Sequence, residues 1–146
     1  MAALQTQKGN IALIMVVILM TMALLLLKAL HFYQESARDE FFREKRFFET
    51  FNLAESALSW GLTQNWQLFG SIDTDWECLQ HQKPYWESCL KHYKGNDFIL
   101  LGRSFYNDTQ YINVYRWVNP LAGSQKVQAR ENGWLDYCPV KKKGFC

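Results

Sequence analysis

The chain has 146 residues, of which 16 are Lys or Arg and 14 are Asp or Glu, for a formal net charge of +2. That length holds one domain of ordinary size plus an anchor. Aromatic residues make up 16% while Gly and Pro are sparse, which excludes intrinsic disorder, and so even a charge balance excludes nucleic acid as the primary partner.

The first element is a short hydrophilic leader, residues 1–9. Ile11 to Leu27 then form an apolar run broken only by Thr21, just long enough to cross a hydrocarbon core of about 30 Å with help from its flanks. Ala29 and Leu30 extend it past Lys28, whose ammonium can snorkel to the interface. No small-x-small cleavage site follows, so a retained transmembrane anchor over residues 10–30 is expected rather than a removed signal peptide. Lys8 precedes the run, and Lys28, Arg38, Arg43, Lys45 and Arg46 follow it, which read literally places the long segment in the cytoplasm. Four cysteines in a small domain suit an oxidising compartment instead. We follow the cysteines, because the basic residues after the run alternate with Glu35, Asp39, Glu40 and Glu44.

From Asn10 to Trp60 there is no Gly and no Pro. Good helix formers dominate, and one continuous helix of about 50 residues, or about 75 Å, is predicted. Its continuation over residues 31–62 is amphipathic. Phe47, Phe51, Ala54, Leu58 and Leu62 recur at three-to-four spacing and form the face that packs on a core. Gly61 and Gly70 place the end of the helix between them.

Residues 63–146 form the disulfide-bearing globular part. Gly70 to Gly95 is expected to be loop-rich, with one or two short helical turns. Four cysteines allow three connectivities; the expected one is local, Cys78–Cys89 and Cys138–Cys146. Each link closes a short loop containing a proline and stabilises by about 2–3 kcal/mol in the chain-entropy model. Phe98 to Phe105 is a predicted strand, interrupted at Gly102. Asn107-Asp108-Thr109 is turn chemistry. Gln110 to Val118 alternates, with Ile112, Val114 and Val118 on one side and Tyr111, Tyr115 and Trp117 on the other. A second turn at Asn119 to Ser124 leads to a third strand, Gln125 to Arg130, and Trp134 to Tyr137 is a fourth strand or a tail. The fold class expected is α+β, a long N-terminal helix on a small antiparallel meander.

Chemistry-bearing clusters are scarce, and no catalytic residue, metal site or cofactor is assigned. His31, His81 and His92 are scattered, and the spacing between the last two is no metal signature. Asp73 and Asp75 lack the glycine and distal Glu of a calcium loop. The cysteines have no C-x-x-C spacing, and nothing beside them lowers a thiol pKa. Lys141-Lys142-Lys143 reads as a solvated loop. A structural or assembly role follows, and the chain is not read as an enzyme.

Two stretches carry a resemblance. The leader ends Gln7-Lys8-Gly9 and the apolar helix starts at once as Asn10-Ile11-Ala12-Leu13-Ile14. This resembles the class III signal of type IV pilins and pseudopilins, in which a prepilin peptidase cuts after the Gly and methylates the new terminus. The resemblance implies cleavage between Gly9 and Asn10, with Asn10 as the first mature residue. Position five of the mature chain, acidic in most pilins, is Ile14. That departure, together with Phe51-Asn52-Leu53-Ala54-Glu55-Ser56-Ala57-Leu58, is similar to the PilX-like minor pilins and the minor pseudopilins of type II secretion. Implied partners are the prepilin peptidase, other minor pilins, a major pilin and the bacterial inner membrane. The C-terminal part would lie in the periplasm, and the subunit would help initiate a filament at or near its tip. The competing readings are an unrelated single-pass envelope-complex subunit and a membrane-tethered binding module using exposed aromatics.

Overall fold

The computed structural model describes residues 5–68, 75–81, 85–107 and 109–146. Gly70, Asp73, Pro84 and Asp108, and the start of the leader, lie outside the described residues. Two compact units divide the chain, Met1–Glu44 and Lys45–Cys146.

The first unit is helical. A single helix, α1, runs over Gln5–Gly61, so helix begins earlier than Asn10 and passes through Gly9. Within it an 18-residue window has a mean hydropathy of 2.8 and is 0% buried. The helix is therefore long and apolar enough to cross a membrane. Its one polar interruption, Thr21, returns its hydroxyl to the Ile18 carbonyl at 2.8 Å, which leaves no unpaired donor on the apolar surface.

The second unit holds the last four turns of α1 and a five-stranded sheet: β1 Glu77–His81, β2 Trp86–Lys94, β3 Asp97–Phe105, β4 Tyr111–Pro120 and β5 Val127–Leu135. The strands lie in sequence order and every neighbouring pair is antiparallel. This is the expected α+β meander. Its turns follow the local chemistry. A two-residue turn with Gly95 at φ +60° joins β2 to β3. Between β3 and β4 the Asn107 Oδ1 accepts from the backbone N–H groups of Thr109 and Gln110 at 3.0 and 2.8 Å.

Three expectations need correction. Gly70 to Gly95 holds no helical turn among its described residues; it supplies β1 and β2. The strand β3 is not interrupted at Gly102, which pairs with Ser88 and Val114 in an unbroken ladder. The segments expected as a third strand and a fourth strand or tail are one strand, β5. It is kinked where Trp117 alone faces the stretch from Arg130 to Gly133, and Asn132 there has φ +53°. A bulge of this kind bends the strand and keeps its charged residues on the outer edge of the sheet.

The two faces of the sheet are covered differently. On the inner face Ala54 and Leu58 of α1 pack with Leu90, Phe98, Leu100, Val114, Val118 and Val127. The helix stops at Gly61 because its last carbonyls find other donors. Thr63 N–H reaches the Trp60 carbonyl at 2.9 Å, and the buried Trp66 indole donates to the Gly61 carbonyl at 2.8 Å. On the outer face Cys89, Ile99, Leu101 and Tyr115 are buried beneath Trp76 and the C-terminal residues Cys138, Val140 and Phe145.

Candidate functional site

The helix face singled out in the sequence sits at the junction of α1 with β4 and β5. Ala54 and Leu58 are buried in the inner core. Phe51 is half-buried and meets the Trp134 ring edge-on at 6.3 Å, while Phe47 stacks on Phe51 at the same distance and is half exposed. Glu55 lies one turn on from Phe51, and its carboxylate accepts the Trp134 indole N–H. That link ties the helix to β5. Around Phe47 the surface opens into a groove of about 450 Å³ lined by Phe51, Tyr111, Ile112, Tyr115 and Tyr137 among others.

Of the expected processing residues, Lys8 and Gly9 lie on the backbone of α1. Asn10 and Ile14 follow on the same helix, both exposed. The two disulfides are Cys78–Cys89 and Cys138–Cys146. Cys78 and Cys89 are directly opposed on β1 and β2. Their sulfurs and a Glu87 oxygen lie within 4.8 Å of one another, but sulfurs joined to each other offer no thiolate to a metal. Glu87 is moreover claimed by Arg103. The histidines stay apart: His81 stacks on Trp86 at 4.5 Å, His92 Nε2 is hydrogen-bonded to the Gly95 carbonyl at 2.7 Å, and His31 is exposed on α1.

A polar chain across the outer face escaped the sequence reading. Arg103 on β3 places Nη1 at 3.0 Å from Glu87 Oε1 on β2 and donates from Nε to Asn113 Oδ1 on β4 at 3.0 Å. Its guanidinium lies 4.5 Å from the Tyr111 ring centroid. Gln80 donates to the other Glu87 oxygen at 3.2 Å, and Asn113 donates to the Tyr115 hydroxyl at 3.3 Å. Burial pushes the Tyr115 phenol above its ordinary pKa, against the hydrogen bond from Asn113 and the charge of Arg103, which pull it down. The sequence carries no clear signal for it, since β2 and β4 hold several other polar residues beside Glu87 and Asn113. Only the register shows that they meet.

Glu87 is almost fully buried, so losing its cation leaves a carboxylate with Gln80 alone. Arg103→Met is expected to lower stability by about 2–3 kcal/mol, somewhat below the range for a fully buried pair because Arg103 is partly exposed. Adding Glu87→Gln should recover part of that loss, and urea denaturation of the two variants checks it. Equal stability of Arg103→Met and wild type would show that the pair is structurally neutral.

Comparison with known proteins gives one match. The model of the family DUF2509, described as a protein of unknown function, covers residues 18–146. The chain belongs to DUF2509. No curated protein and no solved structure matches it. The region shared with DUF2509 starts inside the apolar run, so it takes in the whole globular unit, while Lys8, Gly9, Asn10 and Ile14 precede it.

Proposed function

We propose that this DUF2509 chain is a minor pilin or pseudopilin. It is cut by a prepilin peptidase between Gly9 and Asn10, and it is held in the bacterial inner membrane by α1 with the globular unit in the periplasm. There it helps other minor pilins and a major pilin begin a type IV pilus-like or type II secretion filament, at or near the tip. The observation that carries this reading is the leader ending in Lys8-Gly9 directly before the apolar start of a helix whose last turns seat Ala54 and Leu58 on a meander. A helix whose residues 11–27 are apolar all round and uncovered suits a subunit that exchanges lipid for the helices of neighbours. The disulfides agree with an oxidising compartment.

Mass spectrometry of the protein from cells with an active prepilin peptidase tests the reading. The expected product begins at Asn10 and carries an N-methyl group, and a mature protein that retains Met1 would rule out a pilin.

Position 14 gives a second test. A Glu in an apolar helix layer needs a cation, which in pilin-like assemblies is the terminal amine of a neighbour. A subunit at the tip has no such neighbour, so a carboxylate there would cost about 2–4 kcal/mol unless protonated. Ile14→Glu is therefore expected to leave filament number unchanged or lower, with few copies of the protein per filament by quantitative immunoblot. Increased incorporation along the shaft would show that Ile14 does not mark a tip subunit.

A further inference from the structure

The two faces of the sheet differ in what could come off. The inner face is roofed by α1. The outer strip of Cys89, Ile99, Leu101 and Tyr115 is roofed, apart from Trp76, Trp117 and Leu135, by an irregular strap over residues 136–146. No strap residue enters the inner core, so lifting the strap leaves the packing of helix on sheet in place.

The strap is held at two points. The first is Phe145. Its ring meets Trp76 and Tyr93 edge-on at 6.2 and 5.9 Å, and the Lys91 ammonium lies 4.4 Å from its centroid. Its carbonyl accepts from Lys91 Nζ at 2.9 Å and from the Trp76 indole at 3.1 Å. Lys91 is buried on β2, and among the described residues no carboxylate pairs with it. Its charge is satisfied by the strap itself. When the strap lifts, water replaces the strap, and no opposite charge is left stranded.

The second point is the Cys138–Cys146 disulfide, with Cys138 half-buried and Cys146 exposed. Between them Lys141, Lys142 and Lys143 are consecutive and exposed, and none forms an ion pair among the described residues. Three like charges on a short closed loop repel one another and favour the open chain. The disulfide works against that repulsion.

We propose that residues 136–146 form a redox clasp: closed on the outer face while Cys138–Cys146 is joined, and released by thiol–disulfide exchange with a protein dithiol. The attacking thiolate forms a bond to one sulfur of the pair, and the other sulfur leaves as a thiolate and takes up a proton. The second thiol of the dithiol then displaces the first cysteine. Two electrons pass to this chain, which ends with two thiols, and the dithiol ends as a disulfide. Cys78–Cys89 takes no part, since it joins opposed residues within the β1–β2 ladder.

The experiment compares the full chain in detergent micelles with Cys138→Ser/Cys146→Ser. Trypsin reads strap opening at Lys141–Lys143, and phenol absorbance reads Tyr115, isolated by difference from Tyr115→Phe. The expected result is cleavage at the three lysines about tenfold faster or more, as for a segment that opens locally. The Tyr115 phenol should ionise closer to its ordinary pKa once uncovered, with far-UV circular dichroism unchanged. Phe145→Ala with the disulfide intact should fall between the two. Wild type reduced at Cys138–Cys146 and then reoxidised should regain its resistance to trypsin. Unchanged cleavage and Tyr115 titration in the double variant would show that the disulfide does not hold the strap. Loss of the circular dichroism signal would show that the strap is an inseparable part of the fold. Either result overturns the clasp.

Discussion

Gly102→Val is expected to destabilise the globular unit by about 3 kcal/mol, at the upper end of the range for overpacking a core. A Cβ on Gly102 would lie 2.2 Å from the Ala54 carbonyl oxygen and 2.8 Å from the Leu58 amide nitrogen. Both are backbone atoms of α1, so no side chain can rotate aside and the helix itself must move off the sheet. Moving it opens the contacts of Ala54 and Leu58 with Leu100 and Val114 and disturbs the Glu55–Trp134 link. Gly61 makes the useful contrast. A Cβ there meets Ser88 Oγ at 2.1 Å, but that hydroxyl can turn away, and Gly61→Ala is expected to cost about 1–2 kcal/mol. Chemical denaturation of both variants checks the difference. A Gly102→Val protein as stable as wild type would mean that the helix does not rest on β3 at this point.

The same glycine shows where sequence reasoning stops. Gly inside an apolar strand signals a break or a close approach, and the sequence has no way to choose between them. Here the choice depends on Ala54, some fifty residues away in the chain. The long helix was legible because nothing between Asn10 and Trp60 ends it. The alternation of β4 was legible because one side, with Val114 and Val118, faces α1 and the other, with Tyr115, faces Cys138, Val140 and Phe145. The strand β2 was hidden. Both of its faces are covered over Trp86 to Lys91, so Glu87 and Lys91 sit inside where a half-exposed strand would place them outside, and the period-two pattern is lost. Their partners, Arg103 and the Phe145 carbonyl, lie on other elements. The local disulfides were legible because each closes a short loop, but the use of the second one to hold a strap required Phe145 to be seen on Lys91. The expectation that Lys8, Gly9 and Asn10 carry processing rests on resemblance alone.

On the proposed pilin reading, Gly9→Leu is expected to abolish removal of the leader and to leave a membrane-bound precursor. The helix α1 begins at Gln5, so the bond after Gly9 lies within helix and must be drawn out into an extended strand before a peptidase can cut it. Gly eases that unwinding, being about 0.8–1.0 kcal/mol poorer than Ala as a helix former, whereas Leu is close to Ala. Gly also lets the enzyme approach the scissile backbone without a side chain in the way. Leu therefore acts twice, by stiffening the helix across the bond and by obstructing the approach. The uncut precursor keeps Lys8, the one charged residue of the leader, three residues before the apolar run, and its formal charge stays at +2. Drawing that end of the helix into an apolar bundle would take the ammonium with it, at about 2.5–3.5 kcal/mol on insertion scales. The precursor should thus remain in the bilayer, where Lys8 can snorkel to the headgroups. Intact-mass measurement should find the full-length chain in place of one starting at Asn10, and filament number per cell should fall to that of a strain lacking the protein. If Gly9→Leu still yields a product beginning at Asn10, cleavage does not depend on this glycine. If the uncut protein supports filaments at the wild-type number, processing is not the step that admits this subunit to an assembly.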